Sequence, residues 1–331
     1  MRSSHPEPQS QRECVPHGGA QRSGMAGRES EGKGPATPEA QFFDAPDLEQ
    51  PQSTHAIAYY DWGRRHNPRV LFCVHGLTRN GNDFGVLAHA LSDEYRVVCP
   101  DLPGRGRSDW LKTPGDYTYP VYLADINALL DHLGIDRLDW IGTSMGGILG
   151  MMMAGLYPNK VRRLVLNDIG AVIPVAGIHR IRAYVGKRTH FSSKAEAEQA
   201  LRQIYAPFGI RDEAHWWHLF AHSMVMLDNG SVRLTYDPAI GASLAPPHET
   251  GDIDLWPVWE AVKCPVLLLR GAESDILTSE TAEQMKRRKP DVMMVELKGV
   301  GHAPSLMEES QISLIRHWLS LDQAWPAART A

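Results

Sequence analysis

The chain has 331 residues, of which 43% are hydrophobic, and a formal net charge of −5. A chain of this length can bury one large core or two modest ones. Its charge is mild and scattered, which argues against nucleic acid or an anionic membrane surface as a partner. No apolar run approaches the roughly 18 residues that a membrane-spanning helix needs. The composition therefore excludes the common nucleic-acid-binding and membrane-embedded classes.

Residues 1–50 are rich in Pro, Gly, Ser, Gln and Glu, and we expect them to form a disordered tail. This segment lacks the apolar run of a secretory signal, and Met25 is a plausible alternative start. The four cysteines are far apart and form no C-x-x-C pair, so neither a disulfide framework nor a metal site is expected. A reduced, cytoplasmic setting fits this cysteine usage best.

Short apolar runs alternate with helical patterns through the rest of the chain. Strands are predicted at 70–74, 96–99, 138–141, 161–166, 266–269 and 292–297, and helices at 84–91, 119–133, 145–157, 279–289 and 310–319. Several of these strands are apolar at nearly every position, as in parallel sheets covered on both faces. The alternation predicts one open, mostly parallel α/β sheet flanked by helices.

The alternation is interrupted between residues 171 and 249. This stretch has helical patterns at 195–205 and 213–224 and a polar strand-like piece at 232–236. We interpret it as a mainly helical cap over the carboxyl ends of the strands, where open α/β sheets bind ligands. The predicted core then comprises 51–170 and 250–322, and 323–331 form a C-terminal tail.

The most informative motif is Gly142-Thr143-Ser144-Met145-Gly146, between a predicted strand and a predicted helix. A serine in such a sharp turn needs small residues two positions before and after it, and its hydroxyl stands clear of the sheet. The helix N-terminus beside it favours negative charge. These properties suit a nucleophilic serine.

A general base and its orienting acid should follow other strands of the same sheet. His302 lies in a glycine-containing loop after the last predicted strand, and Asp275 follows the strand before it. We expect His302 to act as base and Asp275 to hold its ring. Asp168 also ends a predicted strand and is the alternative acid.

The oxyanion of an acyl-transfer reaction needs backbone N–H donors. Met145 directly follows the serine, and Leu77 lies in the loop after the first predicted strand. His75 begins this loop and is expected to brace it. His75, Trp216 and Trp217 are candidates for residues that line the site.

These motifs resemble the α/β-hydrolase superfamily over about residues 56–319. The resemblance rests on His75-Gly76, the D-x-x-G-x-G-x-S segment from Asp101 to Ser108, the serine turn, Asp275 and Gly301-His302. It implies an eight-stranded, mostly parallel sheet with a helical cap after the sixth strand, and a capped serine hydrolase similar to carboxylesterases and lactonases. A small-molecule ester or lactone would be the substrate, and no cofactor is implied.

Two alternatives remain open. Carbon–carbon bond hydrolases of the meta-cleavage type share Ser-Met-Gly-Gly, but usually have Asn and Trp where this chain has Thr143 and Ala303. Some proteins that resemble this fold are small-molecule receptors with slow turnover. Measuring turnover beyond the first acylation distinguishes a receptor from an enzyme.

Overall fold

The computed structural model describes residues 37–48, 52–244 and 251–321. Its centre is an eight-stranded sheet in the order β1-β2-β4-β3-β5-β6-β12-β13. The strands are β1 (Gln41–Pro46), β2 (Thr54–Trp62), β3 (Val70–Val74), β4 (Arg96–Pro100), β5 (Leu138–Thr143), β6 (Val161–Asn167), β12 (Val266–Gly271) and β13 (Met293–Leu297). From β4 to β13 all neighbours are parallel, whereas β2 is antiparallel to β1 and β4. The predicted α/β fold is confirmed.

Helices cover both faces of this sheet. They are α1 (Gly85–Leu91), α2 (Tyr119–His132), α3 (Met145–Leu156), α7 (Trp256–Ala261), α8 (Ser279–Arg288) and α9 (Glu309–Ser320). Successive β3 side chains alternate between two cores: Phe72 packs in the core shared with α2 and α3, and Leu71 in the core shared with α1 and α9. This two-sided burial explains why the central strands have no polar face.

The segment between β6 and β12 supplies the elements that lie over the sheet end. It contains β7 (Val172–Ile173), α4 (Val175–Tyr184), β8 (His190–Phe191), α5 (Lys194–Tyr205), α6 (Glu213–Ser223), β9 (Met224–Met226), β10 (Val232–Leu234) and β11 (Ile253–Asp254). We call α4 to β10 the cap. Strands β8, β10 and β9 form a small antiparallel sheet within it. The helix α4 lies in a stretch for which the sequence predicted no helix or strand.

The expected disorder of residues 1–50 is wrong for Gln41–Pro46. These residues form β1, which pairs antiparallel with β2 from Gln41 opposite Tyr59 to Pro46 opposite Thr54. The strand is at the sheet edge and mostly polar or exposed, so it lacks the apolar run by which the other strands were predicted. Residues 1–36 and 322–331 lie outside the described residues, and so do most of the predicted N-terminal tail and the whole C-terminal tail.

Within residues 37–48, 52–244 and 251–321, no helix has both the length and the apolar character needed to cross a membrane. The three cysteines in these ranges, Cys73, Cys99 and Cys264, are buried free thiols.

Candidate active site

Ser144 stands at a tight turn between β5 and α3, and its φ of 52° lies in the left-handed region that side chains rarely adopt. The flanking glycines make this turn possible. A Cβ on Gly142 would lie 2.2 Å from the carbonyl oxygen of Gly146, and one on Gly146 would lie 2.0 Å from that of Val74. Both distances are far below van der Waals contact, so only glycine fits at either position.

His302 contacts the serine through one ring nitrogen and a carboxylate through the other. The Ser144 hydroxyl donates to Nε2 over 2.9 Å, and Nδ1 donates to Oδ2 of Asp168 over 2.8 Å. The His302 loop follows β13, and Asp168 directly follows β6. The two ends of the imidazole are therefore joined to a hydroxyl and a carboxylate in the geometry of a nucleophile, base and orienting acid.

The carboxylate of Asp168 is fully buried and held by further donors. The Gly271 N–H donates to Oδ1 over 2.7 Å, and the Ser274 hydroxyl donates to Oδ2 over 2.5 Å. The Ser274 oxygen in turn accepts the N–H of Leu277 over 3.0 Å. These contacts fix the orientation of the carboxylate that faces His302.

The expectation that Asp275 orients His302 must be corrected. Its carboxylate forms a two-point ion pair with the guanidinium of Arg180 on α4, with Nη2 donating to Oδ1 over 2.8 Å. Burial tends to raise the pKa of Asp275, but the hydrogen bonds and positive charge of Arg180 outweigh it, so the pKa is lowered. Asp275 is partly exposed and joins the cap to the core, whereas the hydrogen bond to His302 comes from Asp168.

The two residues chosen as oxyanion donors border the serine turn. Met145 is the first residue of α3, where N–H groups have no acceptor within the helix. Leu77 follows Gly76, and a Cβ on Gly76 would come within 3.7 Å of the Ser144 Cβ. Both residues are therefore close to Ser144, Met145 in the chain and Leu77 through the neighbouring Gly76.

His75 braces this loop. Its Nδ1 donates to the carbonyl oxygen of Gly76 over 2.7 Å, and its Nε2 accepts the N–H of Leu102 over 2.9 Å. Complete burial, together with the nearby positive charge of Arg105, lowers the pKa of His75 to about 3. The ring is therefore neutral, and it is a fixed support of the loop.

A cavity of about 70 Å³ lies between the serine and the cap. Its lining combines Ser144 and His302 with core residues and aliphatic and aromatic residues of the cap: Gly76, Leu77, Thr78, Phe84, Thr143, Ile181, Tyr184, Val185, Ile204, Tyr205, Phe208, Leu219, Ala303, Pro304, Ser305 and Met307. The cavity opens directly onto the hydroxyl and imidazole.

The lining also includes three polar side chains, those of Arg79, Asp83 and His218. Arg79 forms an ion pair with Asp83 and donates to the Ser223 hydroxyl on α6 over 2.7 Å. The two opposite charges offset each other. Burial lowers the pKa of His218, whose Nε2 donates to the Asn82 carbonyl, so this lining residue is neutral at pH 7. The cavity wall contributed by these groups has no net charge.

Three expected lining residues lie elsewhere. His75 is buried under the loop, Trp216 packs against Phe220 on the same helix, and Trp217 is 55% exposed. None of the three lines the cavity, and α6 turns Leu219 and His218 towards it in place of the two tryptophans. A sequence of two adjacent tryptophans does not reveal which face of a helix meets the cavity.

Asn167 is a residue of the site that was not predicted from the sequence. Its side-chain N–H₂ donates to the Thr143 hydroxyl over 3.0 Å and to the Pro304 carbonyl over 2.8 Å. It thereby ties the serine turn to the His302 loop. Its position at the end of β6, just before Asp168, was the available signal.

Among the described residues, no group of three or more His, Cys, Asp or Glu side chains is arranged to hold a metal ion.

With this geometry established, known proteins provide a comparison. A family model described as the alpha/beta hydrolase fold matches residues 69–309. The chain is 41% identical over 271 residues to the 3-hydroxybutyrate-oligomer hydrolase of Cupriavidus necator, covering 80% of this chain and 92% of that protein. The protein belongs to the α/β-hydrolase family.

Solved structures agree. A protein from Rickettsia typhi superimposes with a TM-score of 0.78 and 37% identity, covering 85% of this chain and 98% of that one. An α/β hydrolase from Novosphingobium aromaticivorans gives a TM-score of 0.74 and 36% identity, covering 86% and 99%. Each of these similarities covers more than four fifths of this chain.

Proposed function

We propose that the protein is a serine hydrolase that cleaves carboxylic esters through an acyl-enzyme on Ser144. The observation that carries the proposal is the continuous hydrogen-bonded series from Ser144 through His302 to Asp168, at the floor of a cavity. The Cupriavidus necator relative, named for the hydrolysis of an oligomeric ester, supports the same reaction class.

In the proposed first step, His302 Nε2 removes the hydroxyl proton as Ser144 attacks the substrate carbonyl. The N–H groups of Leu77 and Met145 stabilise the negative oxygen that forms. The imidazolium then protonates the leaving alcohol. Asp168 keeps the proton of the ring on Nδ1 and stabilises the positive charge, so Nε2 is free to accept.

In the second step, water takes the place of the alcohol. His302 removes a proton from this water, which attacks the acyl carbonyl, and the same two N–H groups stabilise the second tetrahedral intermediate. The proton returns from Nε2 to the Ser144 oxygen as the carboxylic acid leaves. Every proton transfer in this scheme uses one imidazole nitrogen.

We propose short hydroxy-acid esters, with linear 3-hydroxybutyrate oligomers as the first candidate, as the substrate class. The relative at 41% identity supports this choice. The cavity wall supports a neutral segment at the scissile bond, because the charges of Arg79 and Asp83 offset each other and the other lining groups are mostly apolar.

The test is a substrate panel on the wild type and two variants. We expect hydrolysis of 3-hydroxybutyrate dimer and trimer and of p-nitrophenyl butyrate, with less activity on a six-membered lactone. Ser144→Ala should lower kcat by about 10⁴ or more, whereas the control Ser320→Ala, in an exposed serine, should match the wild type. Full activity of Ser144→Ala would refute the assignment of Ser144 as the nucleophile. A preference for the lactone would show that lactones, not linear esters, are the substrate class.

A further inference from the structure

The guanidinium of Arg105 contacts both residues proposed as oxyanion donors. Its Nε donates to the carbonyl oxygen of Leu77 over 2.8 Å, and its Nη2 lies 3.7 Å from the sulfur of Met145. Nη1 donates to the Pro103 carbonyl over 2.7 Å and to the Tyr122 hydroxyl over 2.8 Å. One side chain therefore contacts both halves of the oxyanion site.

Arg105 is fully buried, yet the acceptors of these four contacts are all neutral. Burial of a charge is costly unless hydrogen bonds and counter-charges offset it, so an arginine in such a place needs a reason. Burial raises the pKa of Tyr122 and of Tyr117, whose rings lie within cation–π distance of the guanidinium, so both phenols stay neutral. In the described part of the chain, no carboxylate is ion-paired with Arg105.

The contacts of Arg105 complement those of His75. The Gly76 carbonyl, held by His75, belongs to the same peptide group as the Leu77 N–H, so the two point in opposite directions. The next carbonyl along the chain, that of Leu77, is held by Arg105. The carbonyls of two consecutive peptide groups are thus each held by a buried side chain. Hydrogen bonds in series also polarise one another.

We propose that Arg105 is a positioning residue for the oxyanion site. Its side chain holds Leu77 and Met145 in place, and its positive charge, which is ion-paired with no carboxylate among the described residues, stabilises the negative oxygen that the two N–H groups bind. The charge acts through a low-dielectric interior, where its effect is much stronger than in water. This inference rests on the proposed function, because it requires an oxyanion formed at Ser144.

The experiment uses a trifluoromethyl ketone labelled with ¹³C at the carbonyl. Attack by Ser144 gives a hemiketal, and the ¹³C shift against pH reports the pKa of its oxyanion. We compare the wild type with Arg105→Gln, which keeps a donor but removes the charge, and with Arg105→Lys, which keeps the charge. Arg96→Gln is the matched control, since Arg96 is a buried arginine that is ion-paired with Asp61.

The proposal predicts that Arg105→Gln raises the hemiketal pKa by about one unit, a tenfold weaker ionisation. The value of kcat for p-nitrophenyl butyrate should fall about 10- to 100-fold, with KM within about threefold. Arg105→Lys should keep the hemiketal pKa close to the wild-type value. Arg96→Gln should leave the hemiketal pKa unchanged, whatever its effect on Tm. In the wild type, the pKa must lie below that of the free hydrated ketone.

An unchanged pKa in folded Arg105→Gln would overturn the inference, and so would equal shifts in the Gln and Lys variants, which indicate packing alone. If the Gln variant does not fold, a wild-type hemiketal pKa no lower than that of the free hydrate overturns it equally. A wild type whose signal matches Ser144→Ala forms no hemiketal there, and the proposed function itself then fails.

Discussion

The carboxylate of Asp168 lies 2.8 Å from Nδ1 of His302, across 134 residues of sequence. The end of β6 brings the acid and the loop after β13 brings the base to the same edge of the sheet. The Asp168 backbone is left-handed, with a φ of 58°, which turns the chain sharply as it leaves β6. The acid of the candidate site is therefore placed by β6, one strand nearer the serine than β12.

This relationship predicts unequal effects of two similar substitutions. Asp168→Asn should lower kcat about 10³- to 10⁴-fold, because an amide does not hold the required tautomer of His302 or stabilise its charged form. Asp275→Asn should cost less than about tenfold, since it loses only a partly exposed ion pair with Arg180. Steady-state kinetics on p-nitrophenyl butyrate measures both. A larger loss in Asp275→Asn would return the acid role to Asp275.

The hydroxyl of Ser274 should matter through Asp168. Ser274→Ala removes one buried donor to the carboxylate, worth about 1.5 to 3 kcal/mol for a bond to a charged group. We expect kcat to fall about 10- to 100-fold while KM changes little. Ser274→Thr, which keeps the hydroxyl, should recover part of the loss. Wild-type kcat in a folded Ala variant would show that the other contacts suffice to orient Asp168.

The glycines of the serine turn should be intolerant of a single methyl group. Gly146→Ala places a Cβ 2.0 Å from a backbone oxygen, and we expect a loss of at least about 3 kcal/mol in the free energy of unfolding. Gly115→Ala is the matched control, because nothing lies within 4 Å of its added Cβ. Urea denaturation measures both. Equal stability of the two variants would contradict the close packing of α3 on β3.

His55 should make stability depend on pH far from the active site. Its ring contacts Oδ1 of Asp47 over 2.7 Å and Oδ2 of Asp125 over 3.1 Å. Burial tends to lower the pKa of His55, but these two carboxylates outweigh it and raise the pKa from 6.5 to about 9. Burial also raises the pKa of Asp125, which offsets part of the gain.

Because the folded-state pKa of His55 is the higher one, its contribution is complete below pH 6.5 and is lost as the pH rises through 9. We expect the free energy of unfolding to fall by about 1 to 3 kcal/mol between these pH values. His55→Gln should flatten that decline. Urea denaturation at the two pH values measures the free energy of unfolding. An equally steep decline in the variant would show that groups other than His55 cause the pH dependence.

The central strands of the sheet could be predicted from sequence because they are buried on both faces. Continuous apolar runs such as that of β3 have few alternative interpretations, and the serine turn carries its own local signal in Gly142 and Gly146. Edge strand β1 and helix α4 lack such patterns, since both are partly exposed. Their positions depend on the partners they pack against, which the local sequence does not specify.

The acid could not be chosen from sequence for a related reason. Asp168 and Asp275 each follow a buried strand, and both lie at the carboxyl edge of one sheet. Two long-range contacts distinguish the two carboxylates. Arg180 of the cap forms an ion pair with Asp275, and the Ser274 hydroxyl donates a hydrogen bond to Asp168. The hydrogen bond from Arg105 to the Leu77 carbonyl is likewise a contact between two separate loops, and no local pattern in the sequence marks it.

The most direct test of the proposed mechanism is the mass of the peptide that contains Ser144, taken from protein trapped during turnover. Wild-type protein is mixed with excess p-nitrophenyl butyrate, quenched in acid in the steady state, digested and analysed by mass spectrometry. The proposed mechanism predicts one butyryl group on the peptide that contains Ser144, and a larger acylated fraction in Asp168→Asn if deacylation is the slower step. A butyryl group on another residue, or undiminished turnover in Ser144→Ala, would contradict it.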